Sequence, residues 1–158
     1  MSGPKILFYV QHLLGIGHLK RATTLARAMS SVGFHVTLVS GGQFVPVIDD
    51  SGMEFIQLPS VRALDRSFIG LVDEEGRELT EALMTERREK LLHVFENVCP
   101  NILIVEMFPF GRRKLEFEII PLIEAAKAAR NKPMIVSSVR DVLVEKSNPD
   151  REVEMIEN

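Results

Sequence analysis

Cysteine is nearly absent from this chain of 158 residues, since Cys99 is its only copy. One cysteine cannot form an intramolecular disulfide or a cysteine-based zinc cluster. The chain also lacks an apolar run of about 18 residues that could span a membrane, and its N-terminus lacks the pattern of a secretory signal. These absences favour a protein of the reducing cytoplasm.

An excess of positive charge is also lacking. The formal net charge is -3, with 46% hydrophobic and 26% charged residues, which is typical of a compact globular domain. Such a chain has no global attraction for nucleic acid or for an anionic membrane. We therefore expect no nucleic-acid partner, and any anion site has to come from a local cluster.

Apolar runs alternate with stretches of helical periodicity along the chain. This alternation predicts an α/β fold, a Rossmann-like doubly wound parallel sheet in a single three-layer domain that covers residues 1–150. The predicted strands are Lys5–Val10, Phe34–Ser40, Met53–Leu58, Asn101–Glu106 and Pro133–Ser138, and the predicted long helices are Leu19–Val32, Glu78–Val98 and Lys114–Arg130.

Three segments have weaker signals, and one predicted helix contains a proline. We expect a short helix over Phe44–Asp50, an irregular connection over Ser60–Arg77 and a helix-like segment over Asn148–Asn158. Pro121 falls inside a predicted helix, where it predicts a kink or a restart.

Helical spacing also assigns the faces of the helices. The residues of the first helix expected to face inward are Leu19, Ala22, Leu25, Ala26, Ala28 and Met29. In the second long helix, Arg87, Arg88 and Lys90 are interpreted as parts of a solvated face.

Chemistry-bearing residues concentrate where the predicted strands end. Ligands of open α/β sheets bind at the carboxyl ends of the strands, so this edge is the expected site. The polar and glycine residues that follow the strands are His12, Gly15, Gly17, His18, Lys20, Arg21, Gly41, Gly42, Glu106, Arg112, Arg113, Arg140 and Asp141.

The turn Gly15–His18 joins the first strand to a helix. Glycines allow a close approach of the backbone, and a helix start attracts anions. The turn is neither G-x-G-x-x-G nor a P-loop, so nucleotide binding does not follow from it. Spacing leaves ligand contact and a purely structural turn equally open.

His18 is the candidate acid or base, because the imidazole pKa lies near neutrality. Glu106 is expected at the end of the adjacent strand, where it could orient the ring. His12 competes for the same role, and Glu106 could instead pair with Arg21, Arg112 or Arg140. The acidic runs Asp73–Glu75 and Glu152–Glu157 lack histidine partners, so no metal site is predicted.

The segment FPFGRR supplies further binding candidates. Phe108 and Phe110 could form an apolar wall beside Gly111, while Arg112 and Arg113 could bind an anion. Arg140 and Asp141 follow a later strand at the same edge. The alternative is a loop with solvated arginines and internal ion pairs.

Two long stretches resemble a known family. The segment KILFYVQHLLGIGHLKRATTLARAM with GFHVTLVSGG is similar to the N-terminal domain of GT-B glycosyltransferases, in the superfamily of the peptidoglycan enzyme that adds N-acetylglucosamine to lipid I. The segments VEMFPFGRRKLEFEIIPLIEAAK and SSVRDVLVEK resemble a bacterial group of predicted glycosyltransferases in that superfamily.

The resemblance implies a transferase whose two Rossmann-like domains face each other across a cleft. This domain would hold the acceptor, a small molecule or a lipid-linked one. A C-terminal domain, toward which residues 151–158 would begin a helix or linker, would hold a nucleotide-sugar donor. No cofactor or essential metal is implied, and this domain alone would be inactive.

By position, the resemblance implies that Gly15, Gly17 and His18 line the cleft. The catalytic base would be His18 with Glu106, or else His12. Together with their place at the sheet edge, this gives the substrate-binding candidates Gly15, Gly17, His12, Arg21, Gly41, Gly42, Phe110, Gly111, Arg112 and Arg140.

Other functions remain open at this point. One is a non-catalytic binding or assembly module, and another is a stand-alone nucleotide- or phosphate-binding domain of flavodoxin type. A patch of Ile69, Leu71, Phe108, Phe110 and Arg112 could touch a bilayer, but such loops more often fold over a cleft.

Overall fold

The computed structural model describes residues 3–46, 48–65 and 70–140. Strands and helices alternate along these residues. The elements are β1 (Lys5–Val10), α1 (Gly17–Ser31), β2 (His35–Ser40), β3 (Glu54–Gln57), β4 (Arg62–Ala63), β5 (Leu71–Val72), α2 (Glu81–Val98), β6 (Ile102–Glu106), a 3-10 turn (Arg113–Leu115), α3 (Glu116–Ala128) and β7 (Met134–Ser138).

Five strands form one parallel sheet in the order β3-β2-β1-β6-β7. The chain adds strands on one side of β1 and then crosses to add β6 and β7 on the other side. This reversal makes the sheet doubly wound, as the sequence predicts, and places the switch point between β1 and β6. Tyr9 of β1 lies level with Val105 of β6, so both strands end at the same height.

Alternate side chains of β1 enter two separate cores. Ile6, Phe8 and Val10 pack with the buried stripe of α1, whereas Leu7 and Tyr9 pack with α2 and α3 on the opposite face. A strand buried on both faces needs a continuous apolar run, which KILFYV provides. The sheet therefore lies between two helical layers.

Two of the weak segments differ from expectation. The described residues of Phe44–Asp50 form only a turn, in which the Ile48 N–H donates to the Val45 carbonyl, so the predicted helix is wrong. Pro46 lacks an N–H, and so short a segment cannot offset the cost of nucleating a helix. Ser60–Arg77 is more regular than expected, because it contains the antiparallel pair β4–β5.

The helices also differ in detail. Leu25 and Ala28 of α1 are exposed, while Thr23 is buried, because the buried stripe of this helix is narrower than the run of apolar residues. Helix α3 continues through Pro121, so the predicted restart is wrong. The predicted segments beyond Arg140, including Asn148–Asn158 and the linker at 151–158, lie outside the described residues.

Among the helices of the described residues, none has both the length and the apolar character that a membrane span requires.

Candidate active site

The turn after β1 delivers its polar groups directly to the start of α1. Gly17 is the first residue of the helix, and neither the Ile16 side chain nor an acidic residue of the first turn caps it. An uncapped helix start has N–H groups that favour negative charge. The first turn thus offers an anion-attracting end beside His18.

The ring of His18 contacts Glu106 across the switch point. Nδ1 of His18 lies 2.6 Å from Oε1 of Glu106, at the end of β6. The Glu106 side chain is fully buried, whereas 19% of the His18 side chain is exposed. A carboxylate at Nδ1 holds the proton on that nitrogen and leaves a lone pair on Nε2. In the described part of the chain Nε2 has no hydrogen-bond partner.

Arg112 approaches the other oxygen of Glu106. Its Nη2 lies 3.9 Å from Oε2, while its Nε donates a 2.7 Å hydrogen bond to the Gln11 carbonyl. The backbone of Arg112 has a φ of 65°, a left-handed conformation that few side chains adopt. Oε2 of Glu106 itself makes no hydrogen bond to a described residue. The carboxylate is therefore oriented by His18 and neutralised in part by Arg112.

These groups open onto one cavity of about 220 Å³. It is lined by Leu13, Leu14, Gly15, Gly17, His18, Arg112 and Arg140. The guanidinium of Arg140 lies over Gly17, where a β-carbon would come within 2.8 Å of Nη1. Five of the residues that the sequence nominates, Gly15, Gly17, His18, Arg112 and Arg140, thus share one concave surface, with Glu106 behind it.

His12 lies beneath this surface rather than on it. Only 3% of the residue is exposed, and Gly42 packs directly against the ring. Burial lowers the pKa of His12, the nearby charges of Arg112 and His18 lower it further, and the Gln43 backbone opposes them. A buried neutral ring without contact to the cavity is a poorer base candidate than His18.

Three other residues that the sequence predicts to bind substrate instead make contacts within the protein. Arg21 donates to the Ser138 hydroxyl and to the Val139 carbonyl, so it ties α1 to the end of β7 and is not the partner of Glu106. Gly41 and Gly42 are buried, the first against Gln11 and the second against His12. Their contact with a substrate stays a prediction.

The two phenylalanines of the segment FPFGRR have different surroundings. Phe108 is buried in the core beside α3, so the predicted wall cannot include it. Phe110 and Gly111 are half-buried in the loop after β6, where the Gly111 N–H donates to the Met107 carbonyl. Neither lines the cavity around His18. The predicted bilayer patch cannot include Phe108, because this residue is buried, and Ile69 lies outside the described residues.

The sequence interpretation misses Arg87, which is fully buried and not solvated. Its guanidinium makes a double contact with the buried carboxylate of Glu118, and Tyr9 donates to the same carboxylate. Burial lowers the pKa of Arg87, but the nearby carboxylate of Glu118 raises it, and the net pKa lies above the ordinary value. The helical spacing could have predicted this burial, because Arg87 lies four residues from Leu83 and four from Leu91 on the inward face.

The described residues hold no group of three or more histidine, cysteine, aspartate or glutamate side chains that could bind a metal ion.

Solved structures with the same fold include two glycosyltransferases. SsfS6 from Streptomyces sp. SF2575 has a TM-score of 0.54 at 16% identity over 86% of this chain. CalG4, the calicheamicin glycosyltransferase, has a TM-score of 0.56 at 15% identity over 99%. The chain shares its fold with part of these enzymes. It spans 39% and 37% of their lengths, respectively. No family model and no curated protein matches the sequence.

Proposed function

We propose that this chain is the acceptor-side half of a cytoplasmic, nucleotide-sugar-dependent glycosyltransferase. The observation that carries the proposal is the contact between His18 and Glu106 at the switch point of the sheet. The fold shared with SsfS6 and CalG4 supports it, as does a structure of SsfS6 in complex with thymidine diphosphate.

In this proposal Nε2 of His18 takes the proton of an acceptor hydroxyl. The acceptor oxygen forms a bond to the anomeric carbon of the sugar, and the bond to the nucleoside diphosphate breaks with its electron pair on the diphosphate. Glu106 stabilises the imidazolium that forms, because its carboxylate faces Nδ1 at 2.6 Å. Arg112 and Arg140 contribute positive charge beside the reacting groups.

A second domain supplies the other wall of the cleft in this proposal. It binds the nucleotide-sugar donor, which serves as co-substrate, and this domain alone does not turn over. The cavity of about 220 Å³ then holds only the reactive end of the acceptor. The proposed reaction transfers a hexosyl group to the acceptor.

The test is a screen of UDP-, GDP- and TDP-sugars with a protein that carries this domain beside a donor domain. Release of the nucleoside diphosphate is measured with and without pooled hydroxyl acceptors. Release from at least one donor supports the proposal. No release and no binding of any donor would contradict it.

A further inference from the structure

Arg87 saturates all the donors of its guanidinium at the edge of the sheet that carries the candidate site. Nε and Nη2 donate to the two oxygens of Glu118, at 2.8 and 2.6 Å. The other donors reach the side chain of Gln11 at 3.0 Å, the Gly41 carbonyl at 2.9 Å and the Pro59 carbonyl. Guanidinium has five N–H donors in a fixed plane, and each one has an acceptor here.

The acceptors of Arg87 belong to the segments that follow three neighbouring strands. Gln11 follows β1, Gly41 follows β2 and Pro59 follows β3, and these ends border the site. A single buried side chain thus fixes their relative positions from beneath. Gly41 has to be glycine for this packing, because a β-carbon would overlap both the Gln11 amide and the Arg87 guanidinium.

Gln11 passes this constraint to the site. Its side-chain amide donates to the carbonyls of His12 and Val61, both at 2.8 Å, so its orientation is fixed. Its backbone carbonyl accepts the 2.7 Å hydrogen bond from Nε of Arg112. Arg112 in turn faces the oxygen of Glu106 that His18 does not contact.

We propose that Arg87, held by Glu118, is a positioning residue for the pair His18–Glu106 and acts through Gln11 and Arg112. The catalytic consequence rests on the proposed function, but the orientation of the pair does not. Without Arg87 or the Gln11 amide, the loop after β1 loses its register with Arg112, and the carboxylate of Glu106 no longer holds a single ring orientation of His18.

The test reads the ring of His18 directly, without any sugar substrate. The 158-residue chain is labelled with nitrogen-15 in its histidines, and long-range NMR then reports which ring nitrogen carries the proton. The chain has four histidines, so His18→Gln identifies the signal of His18. The native protein should show one neutral tautomer, protonated on Nδ1, and Glu106→Gln should lose that preference.

Arg87→Lys and Gln11→Met are the test variants. Lysine keeps the charge near Glu118 but has three donors instead of five, and methionine keeps the volume of Gln11 without its hydrogen bonds. We expect both to convert His18 to mixed tautomers and to lose the protected Nδ1–H signal. If Arg87→Lys does not fold, Gln11→Met decides alone, because it leaves Arg87 and Glu118 in place.

Tyr9→Phe and Thr37→Val are the matched controls. The Tyr9 hydroxyl donates to Glu118 within the same buried network, whereas its hydrogen bond does not involve Gln11 or Arg112. Thr37 donates to Glu54 elsewhere in the sheet. Both should keep the native pattern of His18. The proposal is overturned if folded Arg87→Lys or folded Gln11→Met keeps the native pattern, or if Tyr9→Phe changes it as much as Gln11→Met does. A protein without measurable sugar transfer would leave this result unaffected.

Discussion

His18 and Glu106 meet because two neighbouring strands end level at one edge of the sheet. The carboxylate is fully buried and the ring is partly open to the cavity, so Glu106 holds one ring nitrogen of His18 and leaves the other without a protein partner among the described residues. Burial also separates the two histidines of this loop, because His12 has lost nearly all contact with solvent. Residue type alone does not distinguish them.

His12 should make the stability of the protein depend on pH. Its pKa lies below the ordinary value of 6.5 in the folded protein. As the pH falls below that value, the unfolded chain binds a proton that the folded chain still excludes, so the free energy of unfolding decreases until folded His12 itself titrates.

We therefore expect His12→Gln to show a smaller loss of stability between pH 7.5 and about pH 5 than the native protein, as measured by urea unfolding. The titration of the other histidines is common to both proteins. An equal loss in the two proteins would contradict the assigned pKa direction.

The glycines of the site edge should differ in their tolerance of a side chain. A β-carbon on Gly41 meets Gln11 and Arg87, whereas one on Gly15 meets nothing within 4 Å. Gly41→Ala should lower the free energy of unfolding by about 1–3 kcal/mol, the usual cost of overpacking. Gly15→Ala should leave it nearly unchanged. Similar results for the two variants in urea unfolding would show that Gly41 is not packed as described.

The elements of this fold follow from local patterns, but some contacts between elements do not. The five parallel strands are predicted because each is a short apolar run bounded by helix signals. The partner of Glu106 is left open by the sequence, because three arginines and two histidines reach the same edge. The strands β1 and β6 end at the same level, which brings His18 next to Glu106. Arg21 is not the partner of Glu106, because it donates to Ser138 instead.

Arg87 shows how helical periodicity can be misread. Its spacing from Leu91 indicates the inward face of α2, but an arginine is seldom fully buried unless it is paired. The carboxylate that neutralises it lies 31 residues away on α3, and no local pattern links the two. Such a pair becomes visible only when α2 and α3 pack on the same face of the sheet.

The pair between α2 and α3 should be costly to break. Arg87→Met leaves the buried carboxylate of Glu118 without its partner, so we expect a loss of about 3–5 kcal/mol in the free energy of unfolding. Arg27→Met removes a partner from the ion pair between Arg27 and Asp49, which is about half exposed on both sides, and should change stability little. Urea unfolding of both variants measures the contrast, and equal effects would contradict the burial of Arg87.

At the scale of the whole molecule, the doubly wound sheet collects its chemistry at one edge. Three features lie where the parallel strands end. They are the cavity around His18, the uncapped start of α1, and the buried hydrogen bonds of Arg87. The fold is shared with glycosyltransferases more than twice the length of this chain. The proposed transferase thus requires both this edge and a donor domain opposite it.

The most direct test of the central claim is the rate of sugar transfer by His18→Ala and Glu106→Gln, in a protein that carries this domain with its donor domain. His93→Ala, a change at an exposed histidine of α2, is the matched control. A general base contributes about 10²–10⁴-fold, so His18→Ala should lower kcat by at least about 100-fold, with unchanged folding and donor binding. Glu106→Gln should lower kcat less, and His93→Ala should keep it. Native turnover in folded His18→Ala would contradict the account.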